Sequence, residues 1–132
     1  MLTEFGTLVV NVGVANEARP VAGAIVRITG ADEDNVEIRR TLLTDRDGVT
    51  EKIELPAKNR DYSLSPDSTE TPYSRYDIEI QRRGFYTKRI SGIAVFSGVE
   101  SIQIVSMIPS SKDKSEYFPD GNINATIPEN LI

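Results

Sequence analysis

The 132-residue chain contains no cysteine and no histidine. Without cysteine there is no disulfide scaffold and no thiol nucleophile. Without histidine, Ser-His-Asp and Cys-His catalysis are excluded as written, and zinc loses the imidazole and thiolate ligands that it usually takes; no cofactor and no metal are expected. Long apolar runs are also missing. No stretch reaches the length of a membrane span, so no membrane insertion is expected. The N-terminal MLTEFGTLVV lacks a positive n-region and its apolar run is short and alternating, so it is not read as a signal peptide. Basic residues are in the minority, 15 against 20 acidic, for a net charge of −5. A nucleic-acid binder needs a basic face to neutralise phosphate, and none is expected here. Helical periodicity is absent from every window of 11 or more residues.

Period-2 alternation is what the chain does have. In residues 6–15, GTLVVNVGVA, the side chains Leu8, Val10, Val12 and Val14 share one face. Residues 21–30 predict a second strand with Ala24, Val26 and Ile28 inward, and 36–44 a third with Val36, Ile38 and Leu42 inward. Asp45-Arg46-Asp47-Gly48 predicts a tight hairpin turn, because Asp bonds its own following backbone and Gly supplies a left-handed position. Residues 49–55 then return as a strand that Pro56 stops. Residues 57–75 are irregular, with Tyr62-Ser63-Leu64 as a short pairing segment and SPDSTETPYSR as a Pro-fenced surface loop where function is expected. Residues 76–83 alternate strictly, with Tyr76, Ile78 and Ile80 inward. Two short strands, 85–90 and 93–96, flank Ser91-Gly92, and 100–108 is the last long strand. From Ser110 the composition shifts to an aperiodic stretch, read as a linker or extended tail. Turn signals at intervals of about ten residues predict an all-β sandwich or barrel in a single domain. Residues 1–109 form the sandwich and 110–132 the tail, through which self-association is an open expectation.

Three sets of residues carry a resemblance: Pro20-Val21-x-Gly23-Ala24-x-Val26-x-Ile28, then Thr44-Asp45-x-x-Gly48, then Tyr76-x-Ile78-x-Ile80-x-x-x-Gly84-Phe85. Together they resemble the carboxypeptidase regulatory-like domain over about residues 6–109. That resemblance implies a transthyretin-like Greek-key sandwich of about seven strands. A narrower set is similar to the N-terminal domains of bacterial spore-cortex-lytic and related peptidoglycan-binding proteins. It comprises Pro72-Tyr73-Ser74-x-Tyr76-Asp77, Gly84-Phe85, Gly92-Ile93-x-Val95-Phe96-x-Gly98-Val99 and Gln103-x-Val105-x-Met107-Ile108-Pro109. In such proteins a hydrolase domain follows, and its activity does not carry over to these residues. The hydroxyisourate hydrolases of the same fold depend on histidine and are excluded as a reading.

The candidate sites are few. Asp45-x-Asp47-Gly48 has the start of a calcium loop, but the twelfth position is Pro56, which cannot serve as a ligand; a plain Asp-Gly turn accounts for it. Asp32-Glu33-Asp34 reads as a solvated loop tip. The aromatics Tyr73 and Tyr86 are candidates to stack on sugar rings, and Arg82, Arg83, Lys88 and Arg89 to meet the carboxylates of a peptidoglycan stem peptide or a protein partner. The same pattern also fits Tyr76 and Phe85 as core residues, with Tyr73 and Tyr86 at the rim. These readings lead to the expectation of a non-catalytic accessory domain that binds a protein partner or wall polymer in an envelope or spore context. The alternative expectation is a self-assembling structural protein of a virion, tail-like particle or surface fibre. Asn124-Ala125-Thr126 is formally a glycosylation acceptor and is assigned no role.

Overall fold

Eight strands make up the computed structural model, which describes residues 4–14, 19–59 and 72–110. In chain order they are β1 (Glu4–Val14), β2 (Arg19–Pro20), β3 (Ile25–Gly30), β4 (Arg39–Leu43), β5 (Ile53–Ala57), β6 (Ser74–Gln81), β7 (Lys88–Val95) and β8 (Glu100–Met107). The described residues contain no helix. They form two four-stranded sheets, one with β1 at its centre and one in the order β4-β3-β6-β7.

The first sheet is built on β1. The Thr7 amide donates to the Val99 carbonyl at 2.9 Å. Backbone groups alternate sides along a strand, so those of the odd-numbered residues of β1 face β8, which runs parallel from Thr7↔Glu100 to Val14↔Met107. The even-numbered groups face the other way. They serve β5 antiparallel, then Gly48, whose carbonyl accepts from the Val12 amide at 2.7 Å, then β2. The side chains of Leu8, Val10 and Val12 are fully buried against the second sheet. There Val26 and Ile28 of β3 and Tyr76, Ile78 and Ile80 of β6 complete the same core, with Val95, Val105 and Met107 closing it. The alternation in the sequence predicts these inward sets, and they are found.

Several local expectations are corrected. The second strand starts at Ile25, because residues 21–24 are held by Thr44: its hydroxyl donates to the Val21 carbonyl at 2.6 Å and accepts from the Ala24 amide at 2.9 Å. Val36 is 61% exposed instead of inward. A turn in which the Ile38 amide donates to the Asn35 carbonyl buries Asn35 in its stead. Pro56 lies within β5 rather than ending it. It sits opposite Phe5, a pair of the non-bonded kind on an edge strand, where the missing N–H faces away from the partner. The Asp45 turn forms, but not as a hairpin. It carries the chain from β4 in the second sheet to β5 in the first. The two short strands around Ser91-Gly92 are one strand, β7, whose register against β6 shifts between Tyr76 and Ile78. Tyr62-Ser63-Leu64, most of the Pro-fenced loop and residues 111–132 lie outside the described residues.

The two outer faces differ in chemistry. Across the second sheet Thr41, Arg27, Glu79 and Arg89 lie in one row, and Glu79 is shared by Arg27 at 3.9 Å and Arg89 at 2.7 Å. On the first sheet Val9 lies beside Ile102 and Asn11 beside Ile104; the two isoleucines are 63% and 71% exposed.

Candidate functional site

The candidate residues from the sequence fall into three places, and β6 sets the distances between them. Tyr73 precedes β6 and Arg82, Arg83 and Tyr86 follow it, so an eight-residue strand of roughly 26 Å separates the two tyrosines. At the first end Tyr73 is half-buried, its ring 5.3 Å from that of Phe96 and tilted by 54°. The backbone is drawn together there by the Gly98 amide on the Phe5 carbonyl, and the Ser97 hydroxyl donates to Glu4. Arg89 is in the third place, on the outer face of the second sheet, paired with Glu79.

Arg82, Arg83 and Tyr86 do come together, with Lys88 close by at the start of β7. The turn that holds them begins with the Phe85 amide donating to the Arg82 carbonyl at 3.0 Å and passes through Gly84 at φ +92°. Phe85 packs against the core, which points Tyr86 the other way, 57% exposed. The segment after β8 braces this turn: the Tyr86 amide donates to the Ile108 carbonyl and the Ser110 amide to the Gly84 carbonyl, each at 2.9 Å. Arg82 is fixed further by its Nε, which donates to the Ala22 carbonyl at 2.7 Å. Two shallow grooves flank it. One, of about 320 Å³, is lined by Gly23, Ile25, Gln81, Arg83 and Thr87. The other, of about 380 Å³, runs past Arg19, Pro20, Ala22 and Phe85. Lys88 lies opposite Ile80 and is half-buried. The arrangement gathers guanidinium groups and a phenol on a rigid turn, chemistry suited to planar carboxylates.

The acidic candidates have structural partners. Asp45 Oδ1 accepts from the amides of Asp47 at 2.8 Å and Val49 at 3.1 Å, which is the bonding of an Asx turn. Asp32 is engaged by Arg75. Burial alone would raise its pKa, but hydrogen bonds from the Arg75 amide and guanidinium, together with the Arg75 charge, outweigh it and hold the carboxyl below its ordinary value. Among the described residues no three acidic side chains gather as a metal site, and no helix is long and apolar enough to cross a membrane. Sequence reasoning missed the buried polar residues Asn35, Thr44, Thr50 and Ser74. Each bonds a backbone group of a distant segment, and one-dimensional patterning carries no signal for that.

No family model and no curated protein matches the chain. Solved structures do. A hydroxyquinol 1,2-dioxygenase from Pseudomonas putida DLL-E4 has a TM-score of 0.58 at 11% identity over 83% of this chain and 58% of its own. A 3-chlorocatechol 1,2-dioxygenase from Rhodococcus opacus 1CP has a TM-score of 0.56 at 10% identity over 81% of this chain and 61% of its own. The Bacillus anthracis TIE protein has a TM-score of 0.51 at 13% identity over 80% of this chain, which spans only 17% of that one. The chain therefore shares an all-β sandwich with these proteins. At such identities the likeness is one of fold alone. It spans less than two thirds of each of them. The expectation of a chain without catalytic function is corrected by these findings. The same sandwich occurs in two dioxygenases, so the fold gives no ground for excluding catalysis, just as it gives none for asserting it.

Proposed function

We propose that the chain is an interaction module that holds a carboxylate-bearing partner at the turn between β6 and β7. Residues 1–109 are the binding unit in this reading, and 110–132 a linker or tail. The observation that carries it is the place of Arg82 between two open grooves, one of them also lined by Arg83, with the exposed Tyr86 on the same turn, on a chain whose net charge is −5. Guanidinium groups accept planar carboxylates in a bidentate fork, and a phenol beside them adds an apolar face and a polar tip. The resemblance of residues 6–109 to carboxypeptidase regulatory-like domains, and of Gly84-Phe85 and its neighbours to domains of peptidoglycan-binding proteins, supports peptidoglycan as the partner, since its stem peptides carry carboxylates. Tyr73 belongs to the opposite end and takes no part in this site.

The test is retention on purified peptidoglycan. The unmodified chain should sediment with it at low salt and be released as salt rises. Arg82→Ala/Arg83→Ala should weaken retention about tenfold or more, in line with the loss of charged contacts at a binding centre, and Tyr73→Ala should leave it unchanged. Failure to bind at high protein concentration removes the wall polymer. Retention that survives the double substitution removes the site.

A further inference from the structure

Among the described strands, every sheet edge but one is blunted. The second sheet ends in β4 and β7. β4 is short and led by the exposed Arg39 and Arg40, and β7 begins Lys88-Arg89. In the first sheet, β2 and β5 each carry a proline, Pro20 opposite Gly13 and Pro56 opposite Phe5. Short length, charge and proline all keep an edge from pairing with another chain. The outer edge of β8 has none of them. No described strand pairs with it on the side away from β1. Residues 101–108 read Ser-Ile-Gln-Ile-Val-Ser-Met-Ile, without one ionisable side chain. Glu100 is the one charge of the strand, and Lys52 neutralises it at 3.1 Å.

The open stretch has defined limits. Val99 directs its carbonyl at Thr7, so backbone alternation turns the odd-numbered residues of β8 toward β1 and the even-numbered ones toward the open edge. Ile108 keeps the same phase, and there the edge is already used: its carbonyl accepts from the Tyr86 amide at 2.9 Å. The open positions are therefore Glu100, Ile102, Ile104 and Ser106, and the side chains of the same four are exposed. The Ile104 carbonyl accepts an exposed local bond from the side-chain amide of Gln103 at 3.1 Å, which a cross-strand amide can replace.

This stretch is complementary to itself. Lay two copies antiparallel, edge to edge, about a two-fold axis at Gln103. Ile102 then faces Ile104 of the second copy, and Glu100 faces its Ser106. Each facing pair joins two even-numbered residues, which can exchange both backbone bonds. Moving the axis to Ile104 would set Glu100 against Ile108, which Tyr86 already holds. Moving it to Ile102 would set Ser106 against Gly98, outside β8. An axis between two residues would match even positions with odd ones and break the ladder. In the Gln103 register the four isoleucines cover one another, and the two Glu100 residues lie about 20 Å apart, which matters for copies that each carry a net charge of −5.

We propose that β8 is a dimer edge: two copies of the chain pair β8 antiparallel in this register, joining their first sheets into one. The inference rests on the edge alone and is independent of the Arg82 site. A ladder one strand wide is small against the roughly 1,600 Å² of a standard interface, so the dimer is reversible.

Sedimentation of the full chain with cysteine cross-linking tests this. The unmodified chain should pass from monomer to dimer between about 1 μM and 1 mM. Ile102→Lys/Ile104→Lys should weaken association at least about tenfold. Hydrogen exchange at Val105 and Met107, whose amides face β1, should be as slow in that variant as in the unmodified chain and so report an intact sandwich. The chain has no cysteine of its own, which makes the register readable. Gln103→Cys places its two copies about 4.5 Å apart at the axis, within disulfide reach, and mild oxidation should yield a covalent dimer. Ser101→Cys places them four residues out of step, about 13 Å apart, and should not. A monomer at every concentration overturns the proposal, whether its Ile102 and Ile104 amides exchange freely or are protected by its own chain. So does a dimer that survives the double lysine substitution, and so does cross-linking of Ser101→Cys in preference to Gln103→Cys.

Discussion

Asp32 is held three ways by Arg75: its Oδ1 accepts a hydrogen bond from Nε and pairs ionically with Nη2, both at 2.7 Å, and its Oδ2 accepts from the backbone amide at 2.8 Å. The loop before β4 is thereby fastened to the start of β6. The carboxyl pKa in the folded chain is lowered, against burial that pushes it up, by these bonds and the Arg75 charge. In the unfolded chain it sits near about 3.9. The unfolded state then binds the proton more readily, so the stabilisation is present above about pH 4 and is lost as pH falls through the lower folded value. Thermal unfolding followed from pH 7 to pH 2 should show the difference between the unmodified chain and Asp32→Asn shrinking steadily below about pH 4. A constant difference would mean that the carboxylate charge is not what Arg75 holds.

Thr44 is buried and uses its hydroxyl twice, as acceptor from Ala24 and donor to Val21. Thr44→Val keeps the shape and strands both backbone groups. It should cost about 1–3 kcal/mol in urea unfolding, while Thr44→Ser, which retains both bonds, should cost less.

At Gly48, φ is +78°, and a Cβ would stand 2.4 Å from the Val12 carbonyl oxygen. The left-handed conformation and the contact act together. Gly48→Val should lower stability by about 3 kcal/mol or more. Two residues away, the exposed Arg46→Ala should change it by less than about 0.5 kcal/mol.

Tyr76 is fully buried, and its hydroxyl donates to the Pro56 carbonyl at 2.5 Å, bridging the two sheets. Burial pushes the phenol up to about 12, with a hydrogen bond from Asn35 opposing the rise. Ultraviolet titration should contain a tyrosine ionising near that value, and Tyr76→Phe should remove it. An unfolded tyrosine ionises near about 10. Stabilisation from the neutral phenol is therefore complete below pH 10 and is lost as pH rises toward 12. The unmodified chain should lose stability across that window more steeply than Tyr76→Phe.

Faces were legible in the sequence; partners were not. Leu8, Val10 and Val12, like Tyr76, Ile78 and Ile80, declare a buried side by alternation alone. Alternation does not say which strand lies alongside. The Asp45 turn looks like a hairpin from its residues, yet β4 and β5 part into different sheets, because the turn bonds are local and the sheet pairing is not. Val36 matches a strand pattern but yields to Asn35, whose side chain satisfies the Asp32 amide and the Arg75 carbonyl, forty residues away in the latter case. Of the candidate site, Arg82, Arg83 and Tyr86 were legible as near neighbours in sequence. The grooves beside them were not, since Arg19 and Ala22 arrive from another part of the chain.

The parallel pairing of β1 with β8 has a consequence for how the chain is made. The centre strand of the first sheet emerges from the ribosome more than ninety residues before its partner of Glu100–Met107. At about 5–20 residues per second, Leu8, Val10 and Val12 spend several seconds without the strand that covers one whole side of them. Closure thus waits on synthesis, and the sandwich can complete only after Met107 has been made. Any truncation before Glu100 leaves β1 with an open, apolar edge and should give an aggregating product rather than a smaller domain.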